Sequence, residues 1–558
     1  MKNRLRLLAL GVALLATIPY LIGLGNGFAF DDVSIAAENP RIRSIEGIRR
    51  VFTTDWWDGT RSRTLVYRPL AMATLSADYA AARLGQTGPP PARLPDRSAL
   101  PFHLQNLLWH AAASVALFVL VIELFASPPL AFLTAALFAV HPVHTEAVYG
   151  IVGRAELIAA FFVFASLVVA WRVFRDDPAG VRRPALAGLL LLLALLSKEH
   201  AIVVPAVPLL WLFLRPRDQR RAIAGRRSFR LLMASLIVAA LVFLALRATV
   251  LGSIAGVGAA PPDLHDPNNP IATATGAARW LTPVRVFGDV SRLLVFPRIL
   301  SVDYSFNQIP VVSSLDLATS LCLLALIGLA ASAIFLRHHA PAASFGILFF
   351  FLTWALTSNF VVPIGTILGE RLLYLPSAGI CLAFAFGLLA AGRRLRVPVA
   401  ALTVVLVLLG AARTWARGLD WKDNLTLFAS AAGASPRSCK VHYNLAIELR
   451  LAGRTQEAVD HFERALRLGP NDAKIHNNLA GILAGEGKID AAIAHLEQAV
   501  RIDPDDADSQ FNLGSMLRQT GRLPEAIEHF GQAARLKPDD AEARDALGEA
   551  LGRRSLPP

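Results

Sequence analysis

The sequence predicts an all-α protein in two parts, a polytopic membrane helix bundle followed by an α-solenoid. Three observations carry this. Hydrophobic residues make up 54% of the 558 and charged residues 17%, with a mean hydropathy of +0.48, too apolar for an ordinary soluble chain. The apolar residues gather into runs that approach the roughly 30 Å of a bilayer core. After Asp420 these runs stop, and a pattern recurring every 34 residues replaces them.

Taken in order, the apolar runs predict eleven membrane helices, near 5–24, 102–125, 129–143, 147–171, 185–197, 201–215, 230–251, 312–336, 344–363, 371–392 and 396–413. The first, with Lys2, Arg4 and Arg6 ahead of it, has the basic end of a signal peptide. Its apolar stretch runs to about 20 residues with no small-residue cleavage pattern, so a retained helix is the preferred reading. Tight turns at His141–Glu146 and Ser197–His200 must each separate two crossings. Segment 281–300 carries Arg285, Asp289, Arg292 and Arg298 and reads instead as an interfacial amphipathic helix.

Charge sets the orientation. The net +13 is uneven: 17 Lys and Arg with 20 Asp and Glu follow Asp420, leaving 38 and 22 before it. The basic excess therefore lies among the apolar segments, where it sets topology, and a nucleic-acid partner is not expected. With a cytoplasmic N-terminus, the inner loops hold Arg172 to Arg183, Arg215 to Arg230, Arg337 and Arg393 to Arg396. The positive-inside rule then predicts a plasma (inner) membrane, multi-pass protein whose C-terminal part is on the outer, periplasmic side. Counting 281–300 as a crossing would invert everything after it. Two long segments remain outside, 25–101 and 252–311; the tryptophans of TTDWWDG and the run VYRPL predict order in the first.

The repeats are set by position. Asn444-Leu445-Ala446, Asn478-Leu479-Ala480 and Asn512-Leu513-Gly514 recur at a spacing of 34, as do Gly453, Gly487 and Gly521, and Pro470, Pro504 and Pro538. This is the tetratricopeptide period. Ala458/Phe462/Ala465 and their equivalents supply small residues for close helix contact. The domain reading is a membrane part over 1–420 and a repeat part over 421–558, with a half-repeat at 421–438, repeats at 439–472, 473–506 and 507–540, and a cap at 541–552.

The three cysteines, Cys322, Cys381 and Cys439, give neither a disulfide framework nor metal-ligand spacing. Chemistry is sought among ionisable residues at the predicted outer membrane surface, where holding a charge near hydrocarbon is costly. They cluster: Asp31 and Asp32 after the first helix; His141, His144 and Glu146, with Arg154 two turns on; Lys198, Glu199 and His200; and Glu370 with Arg371. A carboxylate there can deprotonate an acceptor hydroxyl while Arg and Lys hold a leaving phosphate, which suits group transfer from a phosphate-bearing lipid. From an extended segment the adjacent Asp31 and Asp32 must point opposite ways, one into the site and one to anchor the loop. His141, His144 and Glu146 match no familiar metal-ligand spacing; no metal site or cofactor is assigned, and a divalent metal stays open.

These residues also carry a resemblance. Asp31-Asp32, Tyr67-Arg68-Pro69-Leu70, HLQNLLWH from His103, FAVHPVHTEAVYGIVGR from Phe138, Ser197-Lys198-Glu199, LSVDY from Leu300 and ERLLYLP from Glu370, followed by tetratricopeptide repeats, resemble the transmembrane and tetratricopeptide-repeat-containing (TMTC) family over nearly the whole chain. The resemblance implies a C-type glycosyltransferase-like fold and protein O-mannosylation from a polyprenyl-phosphate sugar, which is a substrate and not a cofactor. It implies the base in Asp31 or Asp32, with Asp31 preferred. It makes Arg154, Lys198 and Arg371 the candidates for the donor phosphate, with His141, His144, Glu146, Glu199 and Glu370 in support. The expected partners are a lipid-linked sugar donor and an exported acceptor protein at the repeats. The short repeat array and short crossings point to a prokaryotic member, in which sugar and acceptor can differ. The competing readings are a non-catalytic scaffold and a lipid-linked sugar transporter; a transporter should place its charges near the bilayer midplane.

Overall fold

A computed structural model describes residues 2–58, 66–84, 91–177, 179–252, 269–396 and 398–554. It is helical throughout, with no strand among the described residues. Its contacts divide the chain into two compact units. Among the described residues, one holds those up to 252, Asn269–Val302 and Pro310–Ser430; the other holds Asp303–Ile309 and those from 431 to 554. The division falls at 430/431 where the sequence suggested 420/421, and the second unit also takes in the short segment 303–309.

In the first unit, seven helices among the described residues are long and apolar enough to cross a membrane: Lys2–Gly25, Asp96–Phe125, Ile151–Asp176, Arg227–Leu251, Leu317–Leu336, Glu370–Arg394 and Val399–Asp420. Pro128–Ala139 and Pro142–Tyr149, bent by 49° at their break, make an eighth if they form one span. This corrects the expected eleven. The other expected crossings are helical but short: Arg182–Leu195 and Pro341–Trp354 have 14 residues each, and Glu199–Phe213 begins as a 3₁₀ turn with Pro205 inside. At 1.5 Å per residue a 14-residue helix covers about 21 Å, well short of the roughly 30 Å core.

Proline sets several boundaries. The first helix tightens to a 3₁₀ turn at Ile18–Gly25, where Pro19 removes a donor and Thr17 Oγ1 bonds back to the Ala13 carbonyl at 2.7 Å. Pro101 and Pro128 stand in first turns, where a missing N–H costs nothing. Pro142 breaks the apolar run after His141, so that Pro142–His144 and Thr145–Tyr149 form short turns instead of the expected start of a crossing at 147. Gly153 is tightly packed there; a Cβ would collide with the Ala147 carbonyl. Segment 281–300 is helical over Ala278–Val295, and the sequence PPDLHDPNNP lies largely outside the described residues.

The described parts of segment 25–101 are ordered around their own core, in which Phe28, Ile35, Trp56, Met72 and Leu75 pack with Phe102 and Ile151. Arg41 organises it: Nη1 donates to the Asp55 carbonyl and Nη2 to the Trp56 carbonyl, each at 2.7 Å. The Asp55 carboxylate accepts from the amides of Trp57 and Val66 at 2.5 and 3.1 Å, closing the tryptophan-bearing turn.

The second unit stacks helix pairs: Cys439–Leu451 with Thr455–Leu468, Ala473–Gly485 with Ile489–Ile502, and Ala507–Gln519 with Leu523–Leu536, then Ala541–Arg554. Ser438, Asp472 and Asp506 cap the first helix of each pair by accepting from the amides of Val441, Lys474 and Ser509. Gly453, Gly487 and Gly521 turn between the helices at φ of +75°, +76° and +78°, a conformation that favours glycine. Phe462 and Phe530 are fully buried where each pair closes.

Candidate active site

All parts of the site lie in the first unit and come from turns at helix ends. Asp31 and Asp32 open a helical turn that continues as a π-turn over Val33–Ala37, not the extended segment expected. Neighbours on a helical turn diverge by about 100° at 3.6 residues per turn, so the pair still separates, for a different reason. Asp32 is 2% exposed, and its Oδ1 accepts from the Val152 amide at 2.9 Å. It thereby holds the tight turn at 150–153. Burial pushes its carboxyl up to about 7, against the opposing pull of the Val152 and Ile151 amides. Asp31 keeps 21% of its side chain exposed.

Arg371 joins the elements. Its Nη1 lies 3.4 Å from Asp31 Oδ2 and 3.1 Å from Glu146 Oε1, while its amide donates to Glu146 Oε2 at 2.8 Å. Glu146 thus fixes both the backbone and the side chain of Arg371. Asp31, Asp32, Glu146 and Arg371 line one small pocket, with Phe30, Gly150, Val152 and Trp421 as its apolar and backbone walls. The neighbouring Glu370 faces elsewhere; it is buried and accepts from the Ser301 amide at 2.7 Å, anchoring the start of the LSVDY run.

A second ionic group is built from other turns. Lys198, 5% exposed, is ion-paired with Glu156 Oε1 at 2.7 Å, and His200 Nδ1 stands 3.5 Å from the same carboxylate. Glu199 receives a two-pronged bond from Arg68, at 2.9 and 2.6 Å. Arg68 and Glu156 were not among the residues singled out from sequence. Arg68 stands in the Tyr67-Arg68-Pro69-Leu70 motif, and Glu156 is the acidic residue in the first turn of the helix that begins at Arg154.

Three expected members fall outside these groups. Arg154 is 1% exposed, ion-paired with Asp78, and donates to Asn106 Oδ1 at 2.8 Å and to the Phe102 carbonyl at 2.7 Å. Buried and committed to these partners, it ties together helices and has no open side for a phosphate, which corrects its expected role. His141 bonds the Leu294 carbonyl at 3.0 Å through Nε2 and accepts from the Val143 amide through Nδ1. His144 is fully buried, with Nε2 at 2.8 Å from Ser377 Oγ and its ring packed against Phe138 and Tyr374. Both histidines serve the bend at Pro142. Among the described residues, no three His, Cys, Asp or Glu side chains converge in a metal-holding arrangement.

The tetratricopeptide repeat family matches residues 420–473, 443–507 and 477–541. Over most of the chain the similarity is to proteins named as protein O-mannosyl-transferases. "Protein O-mannosyl-transferase F38B6.6" of Caenorhabditis elegans is 29% identical over 476 residues, covering 84% of this chain and 63% of that protein. Human "Protein O-mannosyl-transferase TMTC3" is 28% identical over 479 residues, covering 81% and 49%. Drosophila melanogaster "Protein O-mannosyl-transferase Tmtc3" is 29% identical over 533 residues, covering 84% and 55%. The chain is similar to these TMTC proteins, has tetratricopeptide repeats and, among the described residues, seven or eight helices long and apolar enough to cross a membrane, and spans about half to two thirds of the length of these relatives. Among solved structures, "MamA RS-1 ArsTM double mutant" is 25% identical, covers 24% of this chain and 74% of its own, and has a TM-score of 0.22.

Proposed function

We propose that this chain is an integral-membrane glycosyltransferase that moves a sugar, mannose in the first instance, from a polyprenyl-phosphate donor to a Ser or Thr hydroxyl of an exported protein. The observation that carries the reading is the pocket in which a partly exposed carboxylate, Asp31, lies beside a guanidinium held by a second carboxylate. The similarity to proteins named as protein O-mannosyl-transferases points the same way.

In the proposed reaction the acceptor oxygen attacks the anomeric carbon from the face opposite the phosphate. The carbon–oxygen bond to phosphate breaks, the configuration inverts, and polyprenyl phosphate leaves with the bonding pair. Asp31 takes the hydroxyl proton as base. Arg371 offsets the charge that grows on the departing phosphate, and Lys198 is the second cation assigned to it. Glu146 orients Arg371, Asp32 holds the turn that walls the pocket, and Glu199 and Glu370 fix Arg68 and Ser301. The protein supplies no cofactor in this scheme, so chelation of divalent metal should leave transfer intact; loss of transfer in EDTA, restored by metal, would add a metal to the site.

The setting proposed is the plasma membrane, with the N-terminus cytoplasmic and the repeats outside. Seven or eight spans do not decide the side of the C-terminus by counting, and the orientation rests on the arginine-rich loops. A cysteine placed after Pro538 should react with a membrane-impermeant maleimide in cells with a permeabilised outer membrane; reaction only after lysis reverses the orientation. The repeats are assigned to the acceptor, since stacked helix pairs build extended concave surfaces.

The reaction is tested with Asp31→Asn, which keeps the side chain's shape and removes its basicity. Transfer to a peptide acceptor should fall at least about a hundredfold with donor affinity nearly unchanged. Full transfer activity in both Asp31→Asn and Asp32→Asn would sink the catalytic reading in favour of a membrane scaffold.

A further inference from the structure

The three repeats share a polar circuit between their paired helices that serves no part of the transfer reaction. In the first, His442 on one helix and His461 on the other bring their Nδ1 atoms to 2.9 Å with rings stacked at 26°, and His442 Nε2 lies 3.0 Å from the Pro436 carbonyl. In the second, His476 and His495 repeat this at 3.0 Å, with His476 bonded to the Pro470 carbonyl. In the third, glutamine replaces the first histidine: Gln510 Nε2 donates to the Pro504 carbonyl at 2.8 Å, and Oε1 lies 2.7 Å from His529 Nδ1.

Chemistry fixes the protons. A proline carbonyl only accepts, so the proton of His442 sits on Nε2 and its Nδ1 presents a lone pair. The facing Nδ1 of His461 must then be the donor. Gln510 shows the same logic in a group that cannot titrate, with a donor toward proline and an acceptor toward histidine. A first added proton can go to Nε2 of the second histidine without disturbing the link. The next must go to Nδ1 of the first histidine, where two N–H groups would face each other across 2.9 or 3.0 Å. Gln510 has no such site.

We propose that the first two repeats carry an acid-labile latch between their paired helices, and that the third repeat, through Gln510, is insensitive to it. The charged surroundings oppose added protons only at the first pair, through Arg464 and Arg467, so at the second pair the contrast rests on the geometry of the two histidines. Arg464, Arg467, Asp460 and Glu457 face the first pair, and Asp472 and Glu463 the second. His529 instead faces Glu497, Glu525 and Glu528, with Arg522, an environment that accepts a cation. Burial holds the four paired imidazoles, and His529 as well, below their ordinary range, so all three folded repeats bind fewer protons than the unfolded chain and lose some stability as pH drops below about 6.5; in the third repeat the added proton goes to His529 Nε2 and leaves the bond to Gln510 Oε1 intact, so only the first two repeats lose their link.

The experiment is hydrogen exchange of the full-length protein in detergent between about pH 7.5 and 4.5, corrected for the intrinsic pH dependence of exchange. Protection of helices Cys439–Leu468 and Ala473–Ile502 should fall at least tenfold on acidification while Ala507–Leu536 holds. The acidic caps Asp472 and Asp506 occur in both a sensitive and an insensitive repeat, so loss of caps would not produce this contrast. His442→Gln with His476→Gln should abolish the acid response and leave exchange at pH 7.5 unchanged. The converse Gln510→His should confer acid response on the third repeat, which keeps the test decisive if the double variant folds poorly. Equal loosening of all three repeats, no loosening in any, or an insensitive Gln510→His protein would overturn the latch. None of these readings requires the transfer activity.

Discussion

The membrane unit and the repeat unit are both helical, yet they reach their polar interactions by opposite routes. In the repeats a partner is found 19 residues away within one helix pair, as with His442 and His461, and the solution is copied at a fixed period. In the membrane unit the pocket joins residues 340 positions apart, Asp31 with Arg371, and 225 apart, Glu146 with Arg371. Periodic units distribute stability along the chain, whereas the pocket concentrates it in a few long-range ionic contacts.

Breaking one buried contact in each unit should expose the contrast. The largest effect is expected at Arg154: Arg154→Ala leaves Asp78 buried and unpaired and should cost about 3–5 kcal/mol, read as loss of folded protein by thermal unfolding in detergent. The paired change Arg154→Met with Asp78→Leu should recover most of it. A well-folded Arg154→Ala protein with a raised donor KM would return Arg154 to the phosphate site. In the repeats, Gly487→Ala forces a non-glycine residue to φ +76° and should cost about 1–2 kcal/mol. That loss should be confined to its own and neighbouring repeats by hydrogen exchange; a concerted loss reaching the membrane helices would erase the distinction drawn here.

Much of the repeat unit could be read in advance because its contacts are local: Asn444, Asn478 and Asn512 announce the period, and Gly453, Gly487 and Gly521 the turns. The membrane unit was partly readable. The expected helical segments are all there, but hydrophobicity does not report length, and the prolines at 142 and 205 shortened or bent runs that looked able to cross. The acidic pair and Arg371 stood out by chemical type. Their partners did not, because a sequence shows that Arg154 is charged and not that Asp78 neutralises it, nor that Arg68, seen only as part of a motif, and Glu156 complete the neighbouring ion pairs.

A finer test of the pocket uses pH. The carboxyl of Asp32 is held up to about 7 in the fold against an ordinary value of 3.8, so the folded state keeps a proton that the unfolded chain gives up. This favours the fold most at pH below about 4 and fades as pH rises through about 7. Asp32→Asn, neutral throughout, should flatten that part of the stability profile as measured by unfolding temperature; an unchanged slope would mean that Asp32 ionises freely. The smallest effect is expected at the repeat surface, where Arg454→Ala removes the exposed pair with Glu457 and should move stability by less than about 0.5 kcal/mol.

Glu370 and Arg371 are consecutive, yet one grips the Ser301 amide and the other Glu146 and Asp31. Three distant stretches of chain therefore depend on the phase of a single peptide unit. Inserting or deleting one residue at 369–371 would swing both side chains by about 120°, the step of the 3₁₀ turn they occupy, and release all of them together. The repeats can gain or lose whole multiples of 34 residues and stay in step, as their common period shows. Evolution can accordingly lengthen or shorten the array freely, while the spacing around Gly369 is frozen, and length polymorphism among natural variants should fall on one side of that divide.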